Sequence, residues 1–391
     1  MIAPFCFARI PRIVFGPGTL SQAPQLVASY GRCVLLVTGR GFASRGSCWQ
    51  QLIDGLDLLN IKHAHAIVSG EPTPEFCDEQ VQRLRGESID VVLAVGGGSV
   101  IDAAKAISAM LTTSGSVVDY LEDVGTKPPP GTRLPLIAAP TTAGTGSEAT
   151  KNAVLSRVGP GGFKKSLRHD NYVPDVALLD PQLACSCPPE ITAASGLDAF
   201  TQLLESYIST QATPLTDALA LSGMQRVRHG LVRAFEHGDD LEARGMMAYA
   251  ALLSGITLAN AGLGTVHGLA GSLGAAFDVP HGAACGSLLA AVTAISTDKL
   301  ISQRGKGSPA LKRYGDIGAL LVGLVEKDVG LRVRMLNQKL HEWTQALQVP
   351  RLSQYGVTEQ DLPQIAQATG NKNNPVQLTV DELIHVLSER L

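Results

Sequence analysis

The sequence predicts an α/β domain built on a parallel sheet, followed by an all-helical domain. Three observations predict it. Apolar, β-rich runs alternate with amphipathic helical patterns through the first half, the rhythm of βαβ units. From Pro189 onward such runs vanish and Ala/Leu-rich helical patterns take over. A length of 391 residues with 45% hydrophobic content gives each of two domains a core of its own.

The elements follow in order. Cys33–Thr38 (CVLLVT), Val91–Val95 (VVLAV) and Leu134–Ala138 (LPLIA) are unbroken apolar runs, each followed by a Gly-containing loop, and are read as buried strands. Helical patterns occupy Trp49–Leu59 and Pro74–Arg85, and a third begins near Val100 and runs through IDAAKAISAM. In LLDPQLACSCPPEI, Pro188 and Pro189 are expected to interrupt regular structure. The boundary therefore falls between Pro181 and Glu190, dividing the chain into residues 1–185 and 186–391. Beyond it, Asp217–Arg228 and Leu241–Asn260 read as helices, with no internal repeat and no low-complexity tract.

Composition excludes several classes. A net charge of −3, 5% aromatic residues and no basic stripe argue against nucleic acid as a partner. No apolar run reaches the roughly 18 residues that span a membrane, so no membrane partner is expected. The start, MIAPFCFARIPRIVFGPG, lacks the features of a signal peptide. Seven scattered cysteines, an odd number, fit the reduced thiols of a cytoplasmic protein. Cys185 and Cys187 are too close for a zinc ribbon and read as part of a connector.

Two Gly-rich loops carry the first chemical signal. AVGGGSVIDAAKAI places Gly96, Gly97, Gly98 and Ser99 between a buried strand and a helix, where N–H groups attract phosphate and glycine admits a close approach. APTTAGTGSEAT offers the hydroxyls of Thr141, Thr142, Thr145 and Ser147. Its GTGSEA lacks the context of a first βα unit, so it is not read as the Rossmann fingerprint, and a Walker A motif is absent. Together the loops point to a nucleotide with two phosphates.

A second signal lies further on. Asp198 sits in AASGLDAFTQLLESY, with Gln202 one helical turn later on the same face. His267 and His281 stand in GLGTVHGLAGSLGAAFDVPHGAACG, read as Gly/Ala-rich apolar loops. One carboxylate and two imidazoles would make an open three-ligand set for Zn²⁺ or Fe²⁺; the alternative is ordinary core or surface residues. Dinucleotide plus metal points to hydride transfer.

With these residues in view, the chain resembles the iron-containing (group III) alcohol dehydrogenase family, which includes glycerol dehydrogenases and maleylacetate reductases. The matching pieces are FGPGTL (Phe15–Leu20), GGGSVIDAAKAI (Gly96–Ile107), APTTAGTGSEAT (Ala139–Thr150), DVALLDPQL (Asp175–Leu183), GLDAFTQLLESY (Gly196–Tyr207), VHGLAGSLGAAFDVPHG (Val266–Gly282) and NKNNPVQLTVDEL (Asn371–Leu383). They fall in order along nearly the whole chain. The resemblance implies a dehydroquinate synthase-like architecture: an N-terminal dinucleotide-binding domain and a helical metal-binding domain, with substrate in the cleft between them. It also implies a homo-oligomer, a dimer by family pattern. Asp198, His267 and His281 match metal ligands, with Gln202 beside them. Gly97, Gly98, Ser99 and Asp102 match the pyrophosphate loop, Thr141, Thr142, Thr145 and Ser147 the second loop, and Lys165 a cofactor-side lysine. Lys165, Arg168 and His169 of KKSLRH read either as a solvated loop or as a hold on cofactor phosphate or an anionic substrate.

Three departures refine the expectation. Family members with four ligands carry His where this chain has Gln202, an amide that soft metals favour less than imidazole. Many also carry a proton-relay His where this chain has Gly271. After CVLLVT the family often has an acid that repels a 2′-phosphate; here Gly39 is followed by Arg40, Ser44 and Arg45, which favours NADP over NAD. The expected activity is hydride transfer between the nicotinamide and a small alcohol, aldehyde or ketone bound to the divalent metal, with His267 and His281 at the catalytic centre. The alternatives are the dehydroquinate synthase or sugar-phosphate dehydrogenase branches, a metal-independent maleylacetate-type reductase, and a non-catalytic nucleotide-binding module.

Overall fold

The computed structural model describes residues 2–43, 46–159 and 161–391, which divide into two compact units. One comprises Ala8–Arg157 and Gly161–Cys187; Pro188–Leu391 forms nearly all of the other.

The first unit holds a six-stranded, all-parallel sheet. Its strands are β1 (Arg12–Phe15), β2 (Cys33–Gly39), β3 (Lys62–Val68), β4 (Val91–Gly96), β5 (Leu136–Pro140) and β8 (Val176–Leu179), in the order β1-β8-β5-β4-β2-β3. β6 (Asn152–Arg157) and β7 (Phe163–Arg168) form a separate antiparallel ribbon. The helices between are α1 (Ala23–Ala28), α2 (Arg40–Ala43), α3 (Gly46–Leu58), α4 (Pro74–Leu84) and α5 (Gly98–Met110). The unbroken apolar runs have a physical reason: both faces of the sheet are buried. Leu35, Val37, Val92, Ala94, Leu136 and Ala138 pack into one core, while Val34, Leu36, Val91, Leu93, Ile137 and Ala139 pack into the other.

Two family-motif segments hold one another in this unit. The Asp180 carboxylate accepts the N–H groups of Gly18 and Leu20, both at 3.0 Å, and that of Gln182, also at 3.0 Å. FGPGTL and DPQL are thereby clasped at the edge of the sheet, where β1 pairs β8.

The second unit is helical: α6 (Pro189–Ile208), α7 (Pro214–Glu236), α8 (Leu241–Ala261), α9 (Thr265–Ala276), α10 (His281–Arg304), α11 (Pro309–Val322), α12 (Val329–Ala346), α13 (Leu362–Gln367) and α14 (Val380–Glu389). Capping boxes start α7 at Thr213 and α14 at Thr379. α10 is, among the described residues, a helix long and apolar enough to cross a membrane by length and composition, although 67% of its apolar window is buried inside the protein. Helices α8 and α9 pass the same test together but meet at 98°.

Pro188 and Pro189 close the irregular stretch that follows Ala184, as expected, and they also serve as the N-cap and first residue of α6, where a missing N–H costs nothing. Three sequence expectations are corrected here. His267 lies in helix α9 and His281 opens α10, so neither is in a loop. KKSLRH is largely strand β7. The third strand begins at Leu136, two residues after its predicted start.

Candidate functional site

The parallel sheet creates the first site. From β2 the chain passes to β3 on one side, whereas β4 leads to β5 on the other. The reversal lies between β2 and β4, where open α/β sheets bind ligands outside the carboxyl ends of their strands. Gly39 ends β2 and Gly97 follows β4 as the N-cap of the 13-residue α5. The first N–H groups of that helix have no carbonyl within the helix to bond, and its dipole favours an anion there. Neither Gly97 nor Gly98 has a positive φ. Their need is for space: a Cβ on Gly98 would lie 2.6 Å from Thr145 Cγ2, and one on Gly97 would lie 3.2 Å from Thr142 Oγ1. The two predicted loops are therefore in contact, with Ser99 half-buried at the start of α5 and Thr141 N–H donating to Gly96 O at 3.0 Å.

Asp102 and Ser147 meet behind this surface. Ser147 Oγ donates to Asp102 Oδ1 at 2.5 Å, and Val154 N–H donates to Asp102 Oδ2 at 3.1 Å. Ser147 N–H donates to Thr145 Oγ1 at 3.2 Å. Lys105, fully buried and unremarked in the sequence reading, donates to Ser147 Oγ (2.7 Å), Thr150 Oγ1 (3.0 Å) and Asn152 O (2.7 Å). Burial draws its pKa down to about 8 against the pull of Asp102 and Glu148. Burial likewise raises Glu148 to about 7, and its Oε1 has no hydrogen-bond partner in the structure. Three residues apart on α5, Asp102 and Lys105 share a face, a signal the sequence contained.

The remaining residues expected on the cofactor side are placed differently. Arg40 is exposed at the start of α2; Ser44 and Arg45 lie outside the described residues. Lys165 pairs with Asp123 at 2.7 Å, Arg168 with Glu122 at 3.2 Å, and Lys164 with Glu71. The basic cluster is thus distributed among acidic partners of its own unit.

The helical unit builds the second site. Asp198 on α6, His267 on α9, and His281 and Cys285 on α10 bring their donor atoms within 4.8 Å of one another. His267 Nε2 is 3.2 Å and His281 Nε2 3.9 Å from Asp198 Oδ1; the two rings lie 5.4 Å apart between centroids. Close helix packing sets these separations. A Cβ on Gly282 would lie 2.6 Å from Ala194 O, and one on Gly286 would lie 2.9 Å from Leu197 Cδ1, so α10 approaches α6 along a glycine-lined face beside Asp198. Asp198 and His267 are buried, while His281 is partly exposed.

Glu205, which the sequence reading passed over, stands seven residues after Asp198 on the same face of α6. Its Oε2 accepts from His267 Nδ1 at 2.7 Å, and its Oε1 accepts the Val266 N–H at 2.7 Å. Burial pushes the His267 pKa down, but Cys285, Glu205 and Asp198 outweigh it and carry it well above the ordinary value. For Asp198, burial raises the pKa, and the two imidazoles more than reverse that. Two buried carboxylates bear on one imidazole, an excess of negative charge that a cation among the donor atoms would compensate. Gln202 is buried, with Oε1 accepting from Ser254 Oγ at 2.6 Å. A Cβ on Gly271 would meet nothing within 4 Å, so the glycine leaves open space at this position.

Comparison with known proteins identifies the class. Residues 11–181 match the family model for iron-containing alcohol dehydrogenase, and residues 192–391 match that for the C-terminal part of the Fe-containing alcohol dehydrogenase family. Alcohol dehydrogenase 4 of Saccharomyces cerevisiae is 32% identical, covering 97% of this chain and 96% of its own. The NADPH-dependent butanol dehydrogenase of Clostridium saccharobutylicum is 31% identical over 96% of this chain and 95% of its own. Among solved structures, a 1,3-propanediol oxidoreductase superposes with a TM-score of 0.87 at 30% identity over 100% of both chains. Sulfoacetaldehyde reductase from Bifidobacterium kashiwanohense, solved with NAD⁺, gives 0.84 at 28% over 99% of each. The chain belongs to the iron-containing alcohol dehydrogenase family. It is an NAD(P)-dependent alcohol oxidoreductase.

Proposed function

We propose that the enzyme moves hydride between NADP(H) and a small alcohol, aldehyde or ketone, with a divalent cation held by Asp198, His267 and His281. The observation that carries this reading is the convergence of donor atoms from α6, α9 and α10 within 4.8 Å. A bound Fe²⁺ or Zn²⁺ supplies Lewis acidity toward the substrate oxygen, and the nicotinamide supplies or accepts the hydride. The chain's own residues prepare the site. Glu205 takes the Nδ1 proton of His267 into a hydrogen bond and so directs Nε2 toward Asp198. Gln202, tied to Ser254, packs beside the donors without being required among them. Gly97, Gly98 and Ser99 receive the pyrophosphate on N–H groups, with Thr142 and Thr145 closing over the loop. Gly39 leaves room for a 2′-phosphate, and Arg40 supplies charge beside it; an NADPH-dependent relative at 31% identity supports this choice.

His267→Ala tests the metal assignment. The variant is expected to keep its helical content by circular dichroism while losing bound metal and alcohol oxidation together. Full metal content and full activity in it would overturn the assignment. Activity that survives complete metal removal from the wild type would favour the metal-independent reductase reading instead.

A further inference from the structure

We propose that Cys285 is a fourth protein ligand of the cation, a thiolate standing in for the imidazole that four-ligand relatives carry where this chain has Gln202. The inference rests on the Asp198, His267 and His281 site proposed above. Four observations support it. Cys285 lies one turn after His281 on α10, so both side chains leave the same face. Its Sγ is 3.8 Å from His281 Nε2 and belongs to the four-residue donor group drawn within 4.8 Å. It is fully buried, and the close approach of α10 to α6 at Gly282 and Gly286 holds it beside Asp198. Gln202 Oε1, the donor in the position of the family's histidine, is already engaged by Ser254.

The chemistry follows from the donor. On coordination the Sγ–H proton leaves to solvent and the sulfur lone pair enters the metal's shell; no electron is transferred. A set of one carboxylate, two imidazoles and one thiolate is softer than the all-nitrogen-and-oxygen set. It should favour Zn²⁺ and Fe²⁺ over Mg²⁺ and Mn²⁺. The competing explanation is a buried cysteine serving as a small apolar side chain.

Cobalt distinguishes them. Full-length protein stripped of metal is titrated with Co²⁺ and followed by absorption, alongside Cys285→Ser, Cys285→Ala and His267→Ala. The wild type is expected to take one equivalent and develop a near-ultraviolet sulfur-to-cobalt charge-transfer band. Both Cys285 variants should lose that band, still bind cobalt, and bind it at least about tenfold more weakly. One equivalent bound by the wild type without the band overturns the proposal and leaves the three-ligand site standing; this reading needs no variant to fold. Wild-type affinity in both Cys285 variants overturns it equally. Wild-type protein that binds no cobalt, or binding unchanged in His267→Ala, overturns the three-ligand site and the thiolate with it.

Discussion

Glu205 and His267 form a buried pair in which one carboxylate grips both the ring and the backbone next to it. Oε2 accepts from His267 Nδ1 at 2.7 Å while Oε1 accepts the Val266 N–H at 2.7 Å. The ring's tautomer and its angle to α9 are set together. Glu205→Gln keeps the shape but puts a weaker, neutral acceptor against Nδ1. Metal affinity should fall by about 10- to 100-fold with the fold retained. Competition against a chelator of known affinity measures it; an unchanged affinity would remove Glu205 from the site.

Gly98 carries the next prediction. A valine there drives a Cβ to 2.6 Å from Thr145 Cγ2, so either the second loop is displaced or the helix start shifts. Titration calorimetry should show NADP⁺ binding weakened by at least about tenfold, with cobalt binding unaltered. Equal loss of both would mean that the substitution damages folding rather than the nucleotide loop.

Gly39 tests cofactor choice. Gly39→Asp places a carboxylate at the position proposed to face a 2′-phosphate, without a clash, because an added Cβ meets Val100 Cγ2 at an ordinary contact distance of 3.6 Å. The ratio of kcat/KM with NADPH to that with NADH should fall by about tenfold or more. A wild-type enzyme that clearly prefers NADH refutes the assignment to NADP(H).

Glu148 makes a stability prediction. Burial lifts its pKa from 4.5 to about 7, so the folded state holds a proton that the unfolded state releases between those values. The stability this contributes is complete below about pH 4.5 and is lost as pH rises through 7, on the order of 3 kcal/mol. Glu148→Gln, which cannot titrate, should show a smaller decline between pH 5 and 8 in urea melts. Parallel pH profiles for the two proteins would show that Glu148 is not protonated in the fold.

Much of this architecture is legible in the residues, for physical reasons that also explain the gaps. β2, β4 and β5 announce themselves because both their faces are covered, leaving no polar interruption. β1, β3 and β8 do not: RIVF and VALL are four residues each, and KHAHAIV carries a lysine and two histidines at the sheet edge. KKSLR looks like a solvated loop because its lysines meet acids distant in sequence, Glu71 and Asp123. Glycines around His267 and His281 look like loop residues, yet in α9 and α10 they serve contact. A Cβ on Gly268 would sit 2.2 Å from Gly370 O. At the sites, Asp198, His267 and His281 are recognisable by donor type, and Gly97 and Gly98 by their place after a strand. Glu205, Lys105 and Cys285 are less so, since each depends on a partner that only the tertiary fold supplies. Their helical spacings of seven, three and four residues from Asp198, Asp102 and His281 were the available clue.

Asp198, Glu205, His267, His281 and Cys285 all follow Pro188, so every donor belongs to the helical unit. The ribosome therefore releases both glycine-rich loops before the first of these side chains, and the donor group is complete only once α10 has emerged. A cation held there, as proposed above, would join a chain whose sheet unit has already been synthesised.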